Sequence, residues 1–102
     1  MTVSNTADVT PPTAPSGLVA TGGRGQIKLS WNASTDNVGV TGYEVWRSTS
    51  ATGTFSLIAT TTSLTYTNTG LTRGQTFYYY VKADDAAGNV SAPSSTVSAK
   101  VK

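Results

Sequence analysis

The run Thr76-Phe77-Tyr78-Tyr79-Tyr80-Val81-Lys82-Ala83 decides the fold. Phe77, Tyr79, Val81 and Ala83 share one parity, and Tyr78, Tyr80 and Lys82 share the other. Successive side chains of a strand point to opposite faces, so this run makes one strand with an apolar face and an amphipathic face. Aromatic and β-branched residues suit such a half-buried pleated surface.

The same alternation recurs on both sides. Downstream, Ala86 to Ser91 reads as a turn built on Gly88 and Asn89, followed by Val97, Ala99 and Val101 alternating with Ser98, Lys100 and Lys102. Upstream, Leu64 and Tyr66 alternate with Thr65 and Thr67. Phe55 to Thr61 reads as a short strand with Phe55, Leu57 or Ile58, and Ala59 as apolar contacts. Ser48 to Gly53 is a turn, Tyr43 and Val45 alternate with Glu44 and Trp46, and Asn32 to Gly42 is a loop. Ile27, Leu29 and Trp31 alternate with Lys28 and Ser30, and Leu18 and Ala20 precede a Gly22-Gly23-Arg24-Gly25 turn. No segment carries helical apolar spacing over three turns. Seven half-buried strands separated by turns predict an all-β, two-layer antiparallel sandwich.

The 102 residues suffice for one such domain, over residues 15–102, with residues 1–14 as a polar linker containing Pro11 and Pro12. No run of about 18 apolar residues exists, so no membrane partner is expected. The seven basic residues, Arg24, Lys28, Arg47, Arg73, Lys82, Lys100 and Lys102, are scattered along the chain. That spacing predicts solvated surface charge and no nucleic-acid partner.

Catalysis is not expected. The chain has no Cys and no His, which removes disulfides, thiolate-bound zinc and the usual general base. A glycosidase needs two carboxylates about 5–10 Å apart across a cleft. Asp8 lies in the linker, Asp36 in a loop, Glu44 on an outer face, and Asp84 and Asp85 are neighbours of opposite parity. Asp36 with Asn37, and Asp85 with Asn89, offer fewer oxygens than calcium takes. Asx turns account for both loops. No cofactor, metal or catalytic residue is therefore assigned.

Several stretches together resemble the fibronectin type III signature: Pro15-Ser16-Gly17-Leu18, Leu29-Ser30-Trp31, Gly42-Tyr43-Glu44-Val45 and the run from Leu71 to Ala83. The Trp31–Tyr43 stretch and Asp85-Ala86-Ala87-Gly88-Asn89-Val90-Ser91 resemble the bacterial form of this module. That form occurs in secreted chitinases, cellulases and related depolymerases. The resemblance implies an immunoglobulin-like seven-stranded antiparallel β-sandwich. It also implies an extracellular, monomeric spacer or domain-interaction unit. Its partners would be neighbouring catalytic or carbohydrate-binding domains. Phe77 departs from the pattern, which has Tyr there; the ring is expected to be buried and the hydroxyl's backbone bond missing.

One surface invites a functional reading. The strands holding Tyr43 and Phe77 are neighbours in this fold, so Glu44, Trp46, Tyr78, Tyr80 and Lys82 should share an outer face with an exposed or half-exposed aromatic cluster. Cross-strand packing, docking of a neighbouring domain, and stacking against sugar rings are the three uses it offers. The corresponding roles are spacer, protein-interaction or cell-surface adhesion module, and accessory carbohydrate-binding module with a polysaccharide as ligand.

Overall fold

The computed structural model describes residues 10–36 and 39–102. Residues 1–9 of the expected linker, and Asn37 and Val38 of the expected loop, lie outside the described residues. The described chain forms seven strands and no helix: β1 (Ser16–Gly23), β2 (Gln26–Asn32), β3 (Val40–Ser48), β4 (Ser56–Thr61), β5 (Thr65–Asn68), β6 (Thr76–Asp85) and β7 (Val97–Lys100). All pairings are antiparallel, in a three-stranded sheet ordered β1-β2-β5 and a four-stranded sheet ordered β4-β3-β6-β7. This is the predicted immunoglobulin-like sandwich.

Parity governs burial. Along β6, Phe77, Tyr79, Val81, Ala83 and Asp85 are buried, and the residues between them are half-buried. Ile27, Leu29 and Trp31 of β2 meet Tyr43 and Val45 of β3 in the same core. Trp31 and Tyr43 pack edge to face, with ring centroids 5.7 Å apart. The Tyr43 hydroxyl accepts the Ser34 N–H at 3.0 Å, which anchors the β2–β3 loop.

The approach to β1 is also held. Pro12 is buried, and Thr13 donates its N–H to the Thr35 carbonyl at 2.9 Å while its Oγ1 accepts the Thr35 N–H at 2.9 Å.

Several local expectations are corrected. The loop expected up to Gly42 stops at Gly39, because Val40 and Gly42 pair with Asp85 and Asp84 of β6. Gly22 and Gly23 belong to β1, so the glycine-rich turn shrinks to Arg24-Gly25, with Gly25 at φ 67°. On β4 an extra residue, Ile58, stands between the partners of Val45 and Trp46. This bulge brings both Ile58 and Ala59 against the core and leaves Leu57 47% exposed. Leu64 precedes β5 and is exposed; Asn68 is the buried residue at the other end of that strand.

Before β7 the chain passes Pro93, which cannot donate to a ladder. Two serines complete the pairing there. Val81 donates its N–H to Ser94 Oγ at 2.9 Å, and Ala83 donates to Ser91 Oγ at 2.8 Å. The N–H groups of Ser94 and Ser91 return bonds to the carbonyls of Val81 and Ala83.

Phe77 is buried, and the Arg47 guanidinium sits 4.6 Å from its ring centroid. The β5–β6 corner that a tyrosine hydroxyl would brace is instead closed by Gln75. Its Oε1 accepts the Thr72 N–H at 2.9 Å, and its N–H donates to the Thr72 carbonyl at 3.1 Å.

Candidate interaction face

The register of β3 against β6 builds the outer face. Glu44 lies opposite Lys82, Trp46 opposite Tyr80, and Ser48 opposite Tyr78. Trp46 and Tyr80 stack with centroids 6.0 Å apart and planes 25° apart. The Lys82 ammonium lies 4.8 Å from the Trp46 ring centroid and 5.7 Å from that of Tyr80. The Trp46 indole N–H donates to Glu44 Oε1 at 3.1 Å. All five residues singled out from the sequence are half-buried. Four of them form one interlocked group, and Tyr78 lies two residues along β6 between Ser48 and Ser98.

Phe55 completes the group. From the sequence it is expected among the apolar contacts of the Phe55–Thr61 strand, but its ring packs 4.5 Å from Tyr80 on the outer face. It lies just before β4 and the Ile58 bulge, so alternation alone could not assign its side. Leu57, opposite Trp46, extends this apolar surface to the edge strand.

The described carboxylates serve as structural acceptors. Glu44 holds the Trp46 indole. Asp84 Oδ1 accepts the Thr41 hydroxyl at 2.9 Å, and Asp36 Oδ2 accepts the Gly39 N–H at 3.1 Å. Buried Asp85 closes the β6–β7 turn: its Oδ1 accepts the N–H groups of Ala87 and Asn89 at 3.0 and 2.9 Å, and its Oδ2 accepts the Asn89 side-chain amide at 3.1 Å. The Asp85 loop is thus the Asx-type turn read from the sequence, whereas Asn37 of the Asp36 loop lies outside the described residues.

Four of the seven basic residues come together in space. Arg24, Arg73, Lys100 and Lys102 line one groove of about 940 Å³ at the end of the sandwich where the chain leaves it. Their separation in sequence concealed this. The β1–β2 turn, the β5–β6 connection and the C-terminal segment all reach the same end only once the two sheets are formed.

Comparison with known proteins agrees with this architecture. The model of the fibronectin type III domain matches residues 13–100. Chitinase Chi52 of Paenibacillus xylanexedens is 48% identical over 94 residues, covering 91% of this chain and 17% of that enzyme. Exoglucanase B of Cellulomonas fimi is 47% identical over 100 residues, covering 97% of this chain and 9% of that enzyme. The chain therefore spans a small part of the curated relatives it matches. Among solved structures, a Fn3-like protein from Clostridium thermocellum superposes with a TM-score of 0.79 at 33% identity, over 91% of this chain and 96% of that one.

Proposed function

The chain belongs to the fibronectin type III family, and from that membership we propose that it is a non-catalytic spacer and domain-interaction module of a secreted bacterial polysaccharide-degrading enzyme. Residues 15–102 are the module and residues 1–14 its tether, the last part of which, Pro12 and Thr13, packs onto the module. Its partners are the catalytic or carbohydrate-binding domains of the same parent chain, and it acts outside the cell as a monomer.

One observation carries the choice of spacer over sugar-binding module: the Trp46 ring is already engaged. Lys82 lies over its face, Tyr80 stacks on it, and Glu44 takes its N–H. A sugar ring stacking on Trp46 would have to compete with these contacts. The path of the chain also supports a spacer. It enters β1 beside Asn32, at one end of the sandwich, and leaves beside Gly23 and Gln75, at the other. Domains attached before and after it are held apart by the length of the sheets.

Sedimentation with insoluble chitin, cellulose and starch tests the reading. The domain is expected to stay in the supernatant with all three polymers. Retention that Trp46→Ala abolishes would establish a carbohydrate-binding module instead.

A further inference from the structure

The chain is tied down before its first strand begins. Thr13 and Thr35, 22 residues apart, exchange two bonds. Thr13 donates its N–H to the Thr35 carbonyl at 2.9 Å, and the Thr35 N–H donates to Thr13 Oγ1 at 2.9 Å. The hydroxyl thus takes the place that a backbone carbonyl holds in a strand ladder. Pro12, the residue before the clamp, is buried, and so is Pro15. A spacing of three is the repeat of a polyproline II chain, so both rings fall on one side of the segment. Leu18, three residues further on, joins the core.

The far side of the clamp is anchored in turn. Ser34, next to Thr35, donates its N–H to the Tyr43 hydroxyl at 3.0 Å. Tyr43 is buried and packs edge to face on Trp31 in the core. A line of contacts therefore runs from Trp31 and Tyr43 through Ser34 and Thr35 to Thr13. The segment itself costs little to order. Proline holds φ near −65°, and Thr10, Pro11 and Ala14, each preceding a proline, are biased to extended backbone. Few conformations are lost when such a segment docks. Two hydrogen bonds and two buried rings then suffice to hold it.

We propose that residues 10–15 are a strap that sets the direction from which the chain meets the sandwich, with Thr35 as its buckle and the Tyr43 hydroxyl as the anchor of that buckle. The strap lies at the β2–β3 loop end, opposite the Gly23 end by which the chain leaves. The approach is thereby fixed from Thr10 and not only from Ser16. Thr13 and Tyr43 both bear on the Ser34–Thr35 pair, so loosening either contact loosens the other. In the parent enzyme of the spacer reading, on which this consequence rests, the chain leading to a domain carried before the strap starts beside the β2–β3 loop instead of swinging about Ser16.

Nitrogen-15 relaxation and amide exchange on this chain test the strap. The Thr13 amide should have an order parameter of about 0.85, as in a rigid strand, where a free tether would give less than about 0.6. Thr13→Val keeps the shape of the side chain and removes the acceptor, so the Thr35 amide should exchange about two- to tenfold faster. Tyr43→Phe keeps the ring in the core and should speed exchange at Thr13 as well as at Ser34, by at least about twofold relative to Val81 in β6. Thr52→Val, beyond the far end of β3, should leave Thr13 and Thr35 unchanged. Thr13 is exposed, so Thr13→Val should keep the exchange of Val81, which separates release of the strap from general unfolding. The proposal is overturned by an order parameter below about 0.6 at Thr13 in the parent. It is equally overturned by unchanged exchange at Thr35 in Thr13→Val, or at Thr13 in Tyr43→Phe. None of these results bears on sedimentation with chitin, cellulose or starch, so the strap and the spacer role fail separately.

Discussion

Asn68 donates its side-chain N–H to the Tyr79 hydroxyl at 2.8 Å, joining the three-stranded sheet to the four-stranded one inside the core. Both residues are buried. A buried phenol without a partner would lose its hydration with nothing in return. Asn68→Ala is therefore expected to destabilise the domain by about 1–3 kcal/mol, read from urea unfolding. An unchanged midpoint would show that the bond contributes nothing.

The same pair gives a pH dependence. Burial raises the Tyr79 pKa above the ordinary phenol value, while the Asn68 hydrogen bond pulls it back in part. The folded state thus disfavours the phenolate. The stability this contributes is fully present below the ordinary value of about 10 and is lost as pH rises from there through the folded pKa. The thermal midpoint of the parent should fall more steeply above about pH 10 than that of Tyr79→Phe. Parallel curves would contradict the assignment.

Gly22 lies where β1 comes against β7. A methyl group there would overlap the Lys100 carbonyl oxygen, so the backbones can approach only with glycine. Gly22→Ala should destabilise by about 1–3 kcal/mol through forced separation of the strands. Gly70→Ala is an instructive contrast. Space is open around Gly70, but its φ of 72° penalises any side chain, by about 1 kcal/mol.

Ser94 acts as a ladder acceptor beside Pro93. Ser94→Ala removes the acceptor of the Val81 N–H inside a buried strand. A loss of about 1–3 kcal/mol is expected, together with faster amide exchange at Val81. Protection at Val81 equal to that of the parent would refute this role.

Trp46 and Tyr80 should couple. In a double-mutant cycle with Trp46→Ala and Tyr80→Ala, the stacked rings should give an interaction of about 0.5–1.5 kcal/mol. A coupling near zero would mean that the outer aromatics are neighbours without energetic consequence.

The legibility of the chain followed the regularity of its alternation. β2, β3 and β6 were readable because strict period-two patterning has one solution when one face is buried. Legibility failed where that regularity broke. On β4 alternation left Leu57 and Ile58 open as the inward residue, and the bulge settled it for Ile58; Phe55, read as an apolar contact of the same strand, packs on the outer side against Tyr80. Glycines 22 and 23 looked like turn residues, yet both belong to β1, and Gly22 serves the close approach of β1 to β7. Of the outer face, the members on β3 and β6 could be listed from parity. Their mutual engagement could not, because side-chain contacts depend on cross-strand register.

The chain's order of residues alone determined an all-β sandwich, its core on Ile27, Leu29, Trp31, Tyr43, Val45, Tyr79 and Val81, and the buried Phe77. Each of these follows from the parity of neighbours within a single strand. Tertiary structure alone decided that Gln75 would close the corner, that Asn68 would reach Tyr79, and that Arg24, Arg73, Lys100 and Lys102 would share one groove. These relationships join segments brought together only when two sheets stack, and no local periodicity encodes which loops then meet.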